Sequence, residues 1–131
     1  YGPRGRHFVG AIAAAARRGD PLRVVDDQVG CPTSSIDLAP ALWRIALEGE
    51  GGIYHCSGGG ACSWFEFARA ITEAAGIDAE VEPVTTEAFP RPAPRPAYSV
   101  LDNARLRRTL GDPMQPWHDA FMDFLAAEGG V

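Results

Sequence analysis

The chain contains no lysine, because all 12 of its strongly basic residues are arginines. This absence excludes every chemistry in the chain that depends on a lysine side chain. A Schiff base, a Walker A phosphate loop and a lysine that lowers the pKa of a catalytic tyrosine are all ruled out. No apolar run is long enough to span a bilayer, and the net charge of −5 argues against a basic nucleic-acid-binding surface. We therefore expect neither a membrane nor a nucleic acid as a partner.

Cysteine is scarce too, and the odd number formed by Cys31, Cys56 and Cys62 does not suggest a disulfide framework. Their spacing matches no zinc motif. A cysteine hydrolase is an alternative in which Cys62, at a predicted helix start, has a lowered pKa and His118 is the base. No third orienting residue is evident for it. The start at Tyr1 has neither methionine nor a signal peptide, so we expect a cytoplasmic chain that was trimmed or belongs to a longer protein.

Apolar periodicity predicts several helices and a few short strands in the 131 residues, a length typical of one domain. The predicted helices cover about 7–18, 35–47, 63–75, 103–110 and 116–127, and Asp102 is expected to cap the fourth. Strands or extended segments cover 22–25, 53–56, 79–84 and 98–101. Ser63 and Glu66 have the spacing of a capping box. Short strands separated by helices indicate an α/β fold. So few short strands cannot bury both of their faces alone, and they would be better buried at the edge of a larger parallel sheet.

One polar segment, Asp26–Thr33, connects a predicted strand to a predicted helix. It combines two carboxylates, the Gln28 amide, the flexible Gly30 and the Thr33 hydroxyl. Loops at the carboxyl ends of α/β strands are where ligands bind. The alternative is an ordinary polar turn in which Thr33 or Ser34 caps the next helix.

A second segment, residues 89–96, reads Phe-Pro-Arg-Pro-Ala-Pro-Arg-Pro. So many prolines exclude a helix or central strand and predict a stiff surface segment near polyproline II. Arg91 and Arg95 would then be pre-organised guanidinium groups, suited to a diphosphate. A solvated loop or a proline-rich ligand for an SH3-like domain are the alternatives. The run Gly58–Gly60 precedes a helix, but its spacing does not match a dinucleotide-binding motif, and a flexible turn is expected there.

Three stretches together resemble one known family. Residues 24–33 resemble the pattern V-x-D-Q-x-G-x-P-T. Residues 52–55 with 62–68 resemble G-x-Y-H followed by C-S-W-Y-E-F-A, and residues 89–103 are very similar to P-x-P-A-x-R-P-x-Y-S-V-L-D-N. These patterns, in this order and at these intervals, are typical of dTDP-4-dehydrorhamnose reductases, which are extended short-chain dehydrogenases/reductases. The resemblance runs nearly from end to end.

The resemblance implies an α/β fold in which residues 1–131 are the C-terminal, nucleotide-sugar-binding portion of a Rossmann-type reductase. The family reduces dTDP-4-dehydro-L-rhamnose to dTDP-L-rhamnose with NADPH or NADH, in dTDP-rhamnose biosynthesis for surface polysaccharide. Its cofactor glycine motif and its Tyr-x-x-x-Lys pair belong to an N-terminal dinucleotide-binding part that is absent from this chain. We therefore assign no catalytic and no cofactor-binding residue here, and we expect the isolated chain to be inactive.

By resemblance, Gln28 and Thr33 belong beside the sugar, and Arg95 and Arg91 face the nucleotide diphosphate. The expected partners are the dTDP-sugar and the missing N-terminal half. A homodimer is a further candidate, since an apolar face left by the missing sheet would favour self-association. A magnesium ion is compatible with the family, but no ligand for it is assigned. A non-catalytic regulatory subunit of the same fold, or a reductase or epimerase of another nucleotide-sugar, are alternatives.

Overall fold

A computed structural model describes residues 1–128, and helices and short strands alternate along them as predicted. The helices are α1 (Phe8–Arg17), α2 (Ser35–Glu48), α3 (Trp64–Ala74), α4 (Ala104–Leu110) and α5 (Trp117–Glu128). The strands are β1 (Leu22–Val25), β2 (Val29–Gly30), β3 (Cys62–Ser63) and β4 (Val81–Val84), and a 3-10 turn covers Thr86–Ala88. The predicted α/β class is therefore confirmed. None of the described helices is long and apolar enough to cross a membrane.

The strands form two small sheets. Strand β1 pairs with β4 in parallel, from Leu22 opposite Val81 to Val25 opposite Val84. Strand β2 pairs antiparallel with β3, and Val29 also bridges Tyr98 in parallel. The second sheet therefore ties the polar loop after β1 both to the start of α3 and to the end of the proline-rich segment.

The main core lies between α1, α3, α5 and β1. Its largest fully buried side chains include Phe67 of α3, Phe121 of α5 and Val9 of α1. The rings of Phe67 and Phe121 meet edge to face, with centroids 5.5 Å apart, a favoured aromatic geometry. A smaller core of Ala41, Leu106, Leu110 and Met114 joins α2 to α4.

Helix α3 begins with the predicted capping box. The Ser63 hydroxyl accepts a hydrogen bond from the Glu66 backbone N–H at 3.0 Å, and the Glu66 carboxylate accepts one from the Ser63 N–H at 2.7 Å. These bonds satisfy two backbone donors at the helix start. They also fix the direction in which α3 presents its first residue, Trp64.

Two local predictions were wrong. Residues 53–56 form no strand, and Ile53 is 81% exposed, because no strand in the described part of the chain lies beside them. Asp102 was expected to cap α4, but the helix begins at Ala104, and Asn103 occupies the N-cap position without a side-chain capping bond. The Asp102 carboxylate accepts a hydrogen bond from the Ala104 N–H at 2.8 Å, while the Asn103 side chain turns inward to bond with Ser57.

Candidate functional site

Three of the four site residues predicted from the sequence line one open cleft of about 780 Å³. Phe8 and Trp64 contribute aromatic surface, and the polar groups of the lining come from Gln28, Arg91 and Arg95 together with Arg23, Thr86 and Glu87. We call it the arginine cleft. It lies between the loop after β1, the first turns of α1 and α3, and the proline-rich segment. Side chains that are far apart in the sequence are therefore brought to one surface.

The proline-rich segment is attached to the fold at both of its ends. After it, the Val29 N–H donates to the Ala97 carbonyl at 2.8 Å, and the Ser99 N–H donates to the Val29 carbonyl at 2.9 Å. Before it, Thr86 donates from its N–H and its hydroxyl to the Asp27 carboxylate, at 2.9 and 2.7 Å. Residues 87–96 between these attachments are exposed. The segment is therefore a stiff rim whose position depends on its two ends.

Arg91 and Arg95 form no ion pair within residues 1–128. Other arginines of the same part of the chain do pair with carboxylates, namely Arg18, Arg23, Arg44, Arg69 and Arg107. Each guanidinium carries five N–H donors in a planar fork. The rim thus presents two cationic groups, toward an open cleft, that the described fold does not neutralise.

Gln28 is held in the cleft by Thr86. Its amide nitrogen donates to the Thr86 hydroxyl at 2.9 Å, and that hydroxyl donates in turn to Asp27. The bonds from the Thr86 backbone N–H and hydroxyl lower the pKa of the Asp27 carboxyl. The Gln28 amide keeps a second N–H and its carbonyl oxygen for a ligand, since no other bond of this side chain forms among residues 1–128.

The aromatic wall of the cleft was not found from the sequence. Phe8 and Trp64 meet with centroids 4.8 Å apart at 60°, and Phe8 stacks on the buried Phe67 at 5.7 Å. Trp64 nevertheless stays 43% exposed. Each is the first residue of its helix, and α1 and α3 pack together. Their place at the start of two helices was the signal that the sequence offered. Both residues also fit the apolar periodicity of a helix, so the sequence alone does not distinguish them from ordinary core residues.

The fourth predicted residue, Thr33, lies elsewhere, in a separate cavity of about 320 Å³ that shares Trp64 with the arginine cleft. Its hydroxyl donates to the Cys31 carbonyl at 3.0 Å and accepts from the Gly58 N–H at 3.0 Å. Ser34, and not Thr33, caps α2, by accepting from the Ile36 N–H. Thr33 therefore joins the polar loop to the glycine run.

Cys31, Cys56 and Cys62 all line this smaller cavity. No set of metal-binding side chains occurs in the described residues. The expectation of a lowered pKa for Cys62 was wrong. The side chain is only 5% exposed, and burial raises its pKa to about 12, with further contributions from Glu66 and Cys31. A buried neutral thiol does not act as a hydrolase nucleophile, so the cysteine hydrolase alternative loses its support.

The run Gly58–Gly60 is packed against the protein itself. A Cβ at Gly58 would collide with the Pro32 carbonyl oxygen, and a Cβ at Gly60 would lie 3.3 Å from the Trp117 ring. Gly60 also has a φ of +77°, which side chains rarely adopt. These glycines allow close approach of the chain to its own backbone and rings. They do not fit a dinucleotide phosphate, and no cofactor site is assigned to them.

The family model described as "RmlD substrate binding domain" matches residues 1–129. The chain is 41% identical over 132 residues to the dTDP-4-dehydrorhamnose reductase of Mycolicibacterium smegmatis, covering 99% of this chain and 40% of that protein. It is 40% identical over 134 residues to the probable dTDP-4,6-dihydroxy-2-methyloxan-3-one 4-ketoreductase of Streptomyces antibioticus, covering 98% and 45%.

Among solved structures, the dTDP-4-dehydrorhamnose reductase of Bacillus anthracis, in complex with NADP, superposes with a TM-score of 0.92 at 35% identity. The match covers 97% of this chain and 45% of that one. The chain therefore spans less than half the length of the relatives it matches, and its fold is that of extended short-chain dehydrogenases/reductases. With the family model matched from residue 1 to residue 129, the chain belongs to the RmlD substrate-binding domain family.

Proposed function

We propose that this chain is the nucleotide-sugar-binding portion of a dTDP-4-dehydrorhamnose reductase that converts dTDP-4-dehydro-L-rhamnose to dTDP-L-rhamnose. The observation that carries the proposal is the arginine cleft, where Arg91, Arg95 and Gln28 converge beside the aromatic pair Phe8 and Trp64. A nucleoside diphosphate has the matching parts, namely two phosphates, an apolar base face and polar base edges. The family match and the similarity to named reductases support the same substrate class.

The diphosphate is proposed to bind Arg91 and Arg95. Guanidinium groups bind phosphate oxygens through paired, charge-assisted hydrogen bonds. The flanking prolines fix the backbone before binding, so little conformational entropy is lost when the phosphates arrive. In a chain of net charge −5, this rim is a local exception that favours an anionic ligand at one place.

The base is proposed to lie against Phe8 and Trp64. Gln28, which the resemblance implies beside the sugar, lines the same cleft as these rings and not the smaller cavity, so we propose that it faces the polar edge of the base instead. Nucleobases stack on exposed aromatic rings, which present a flat apolar face. The sugar would extend toward the smaller cavity on the other side of Trp64, where Thr33 holds the loop wall through its two hydrogen bonds. In this arrangement Thr33 shapes the sugar pocket mainly by positioning the backbone of residues 31–33.

The reduction needs a hydride and a proton at the sugar, and the nicotinamide cofactor, NADPH or NADH, supplies the hydride when it is bound. We place that cofactor and the catalytic tyrosine and lysine outside this chain, which has neither lysine nor a fitting glycine motif. The role of this chain is to bind the non-reacting dTDP and thereby orient the reacting carbon. Binding energy from such remote groups is an established source of rate acceleration.

Calorimetric titration of the chain with dTDP, thymidine and UDP tests the proposal. We expect dTDP to bind, thymidine to bind far more weakly because it lacks the phosphates, and UDP to fall between them. We also expect no NADPH oxidation when the chain alone is mixed with dTDP-4-dehydrorhamnose. Equal affinity for thymidine and dTDP would contradict the diphosphate assignment, and turnover by the chain alone would contradict the assignment of catalysis to another part.

A second candidate is a reductase for another dTDP-linked keto-sugar. It is favoured by the 40% identity to the relative named as a probable 4-ketoreductase of a different dTDP-sugar. The arginine cleft would bind dTDP in the same way in both cases, and only the smaller cavity would differ. Turnover of several dTDP- and UDP-linked keto-sugars, measured after this chain replaces the matched segment of the Mycolicibacterium smegmatis enzyme, separates the two candidates.

A further inference from the structure

Among residues 1–128, those that line the smaller cavity of about 320 Å³ include no charged side chain. Leu38 of α2 and Leu101, which follows the proline-rich segment, contribute aliphatic surface to it. Cys31, Cys56 and Cys62 contribute thiols, which behave as small apolar groups when they are not ionised. The smaller cavity therefore offers a ligand mainly apolar surface, in contrast to the arginine cleft with its guanidinium groups.

Four hydroxyl groups also line the smaller cavity, and each of them donates its proton to an oxygen of the fold. The four pairs are Thr33 with the Cys31 carbonyl, Ser57 with the Asn103 amide oxygen, Ser63 with the Asp26 carboxylate, and Ser99 with the Val29 carbonyl. Apart from the Trp64 indole, at the boundary with the arginine cleft, the described lining side chains thus keep only weak thiol donors for a ligand. A ligand hydroxyl that enters such a cavity loses its bonds to water without full replacement, which is unfavourable.

We propose that the smaller cavity binds the C6 methyl group of a 6-deoxy sugar, and that Leu38 and Leu101 determine this specificity. The inference rests on the proposed function and deepens it, because it names the part of the sugar that this portion of the fold recognises. In dTDP-4-dehydro-L-rhamnose the ring carbons carry the phosphate linkage, two hydroxyls, the keto oxygen and one methyl group. The methyl group is the only one of these substituents whose transfer from water to an apolar lining is favourable.

The names of two relatives agree with this choice of group. The Mycolicibacterium smegmatis protein is named for dehydrorhamnose, a 6-deoxy sugar, and the ketone named for the Streptomyces antibioticus protein carries a methyl group on its ring. The second ketone lacks one of the ring hydroxyls of the first, since its name leaves ring position 5 unsubstituted. The two compounds thus share the methyl group and differ in their hydroxyls. A cavity that recognises the methyl group and not the hydroxyl pattern is compatible with both.

The test compares dTDP-L-rhamnose with dTDP-L-mannose, which differ only in the hydroxyl at C6. Calorimetric titration of the chain should give an affinity about 10- to 100-fold higher for the rhamnose compound, the range expected when an apolar pocket receives an added hydroxyl.

A variant that adds a polar group to the cavity should weaken this discrimination. Leu101→Asn places an amide with free donors in the lining, at a position that is 46% exposed and therefore tolerant of a polar side chain. The affinity ratio of the two dTDP-sugars should fall by about 5-fold or more, because the amide can bond to the C6 hydroxyl. Leu38→Asn is a second variant of the same kind. Met122→Asn is the matched control, since Met122 is a 44% exposed residue of α5 that lines neither cavity, and it should keep the ratio of the native chain.

Equal affinities for the two dTDP-sugars, with dTDP itself still bound, would overturn the inference and leave the proposed function standing. An unchanged affinity ratio in Leu101→Asn and Leu38→Asn would overturn the assignment of specificity to these residues, provided that thermal unfolding shows the variants to be folded. If one of the two variants does not fold, the other decides. Failure of dTDP itself to bind would contradict the proposed function, and the inference with it.

Discussion

The loop Asp26–Thr33 and the segment Phe89–Pro96 are both polar stretches beside a predicted ligand site, yet the fold uses their side chains in opposite ways. Asp26 accepts a hydrogen bond from Ser63, Asp27 accepts two from Thr86, and Thr33 bonds to Cys31 and Gly58. Arg91 and Arg95 pair with no carboxylate in the described range 1–128. The loop is therefore held by bonds from its side chains, whereas the segment is held by its attached ends and its prolines.

The two regions therefore serve different properties: the loop contributes to the stability of the fold, and the segment contributes to ligand binding. A side chain that is already hydrogen-bonded contributes to the folded state, and its removal leaves a partner unsatisfied. A side chain on a backbone stiffened by proline can be placed without using its own donors, so these stay available for a ligand. Substitutions of Asp26, Asp27 and Thr33 should thus reduce the free energy of unfolding. Substitutions of the two arginines should reduce the affinity for dTDP and leave folding unchanged.

The largest effect is expected at the arginines. Arg91→Ala and Arg95→Ala should each weaken dTDP binding by about 10- to 100-fold, because each removes a charged hydrogen bond worth about 1.5–3 kcal/mol. The Tm should stay constant, since neither residue forms an ion pair with the described residues. Calorimetry and thermal unfolding are the measurements. Arg18→Ala is the control, because Arg18 pairs with Asp20 and does not line the cleft. Unchanged dTDP affinity in both variants would contradict the proposal that the segment Phe89–Pro96 binds the ligand while the loop Asp26–Thr33 stabilises the fold.

The helices and the class of fold could be predicted from the sequence because their signals are local. The Ser63–Glu66 capping box acts within a few residues, and the structure confirms it. The strand predicted at 53–56 failed because a strand depends on a partner that local sequence does not specify.

The candidate site could be predicted only in part, because only its local features are visible in the sequence. Proline stiffness is local, so the exposed arginine rim followed from the sequence alone. The pairing of Phe8 with Trp64 depends on how α1 packs on α3, which is a tertiary contact. The raised pKa of Cys62 also depends on tertiary burial, which here outweighs the helix start that favours a low pKa.

A smaller effect, on stability, is expected at Thr33. Thr33→Val removes the hydroxyl that bonds to both Cys31 and Gly58, and leaves the Gly58 N–H without its acceptor. The free energy of unfolding should fall by about 1–3 kcal/mol, measured by urea denaturation, while dTDP affinity changes little. Thr33→Ser keeps the hydroxyl and serves as the control. If Thr33→Val weakened dTDP binding as much as Arg95→Ala with no loss of stability, Thr33 would be a direct ligand contact.

The smallest effect concerns pH and the attachment of Asp27 to Thr86 at the start of the rim. The bonds from Thr86 lower the pKa of Asp27 below its ordinary value of 3.8. The carboxylate is therefore favoured in the folded state, and its contribution to stability is fully present above the unfolded pKa. It is lost as the pH falls through the lower, folded pKa. Asp27→Asn should be less stable than the native chain near neutral pH, and the difference should shrink as the pH drops below 3.8. Urea denaturation across this range measures it, with the exposed Asp112→Asn as control. If the stability difference between Asp27→Asn and the native chain stays constant down to the lowest pH at which the chain folds, Asp27 stabilises the fold through the packing of its side chain and not through its charge. The loop would then hold the rim without using charge.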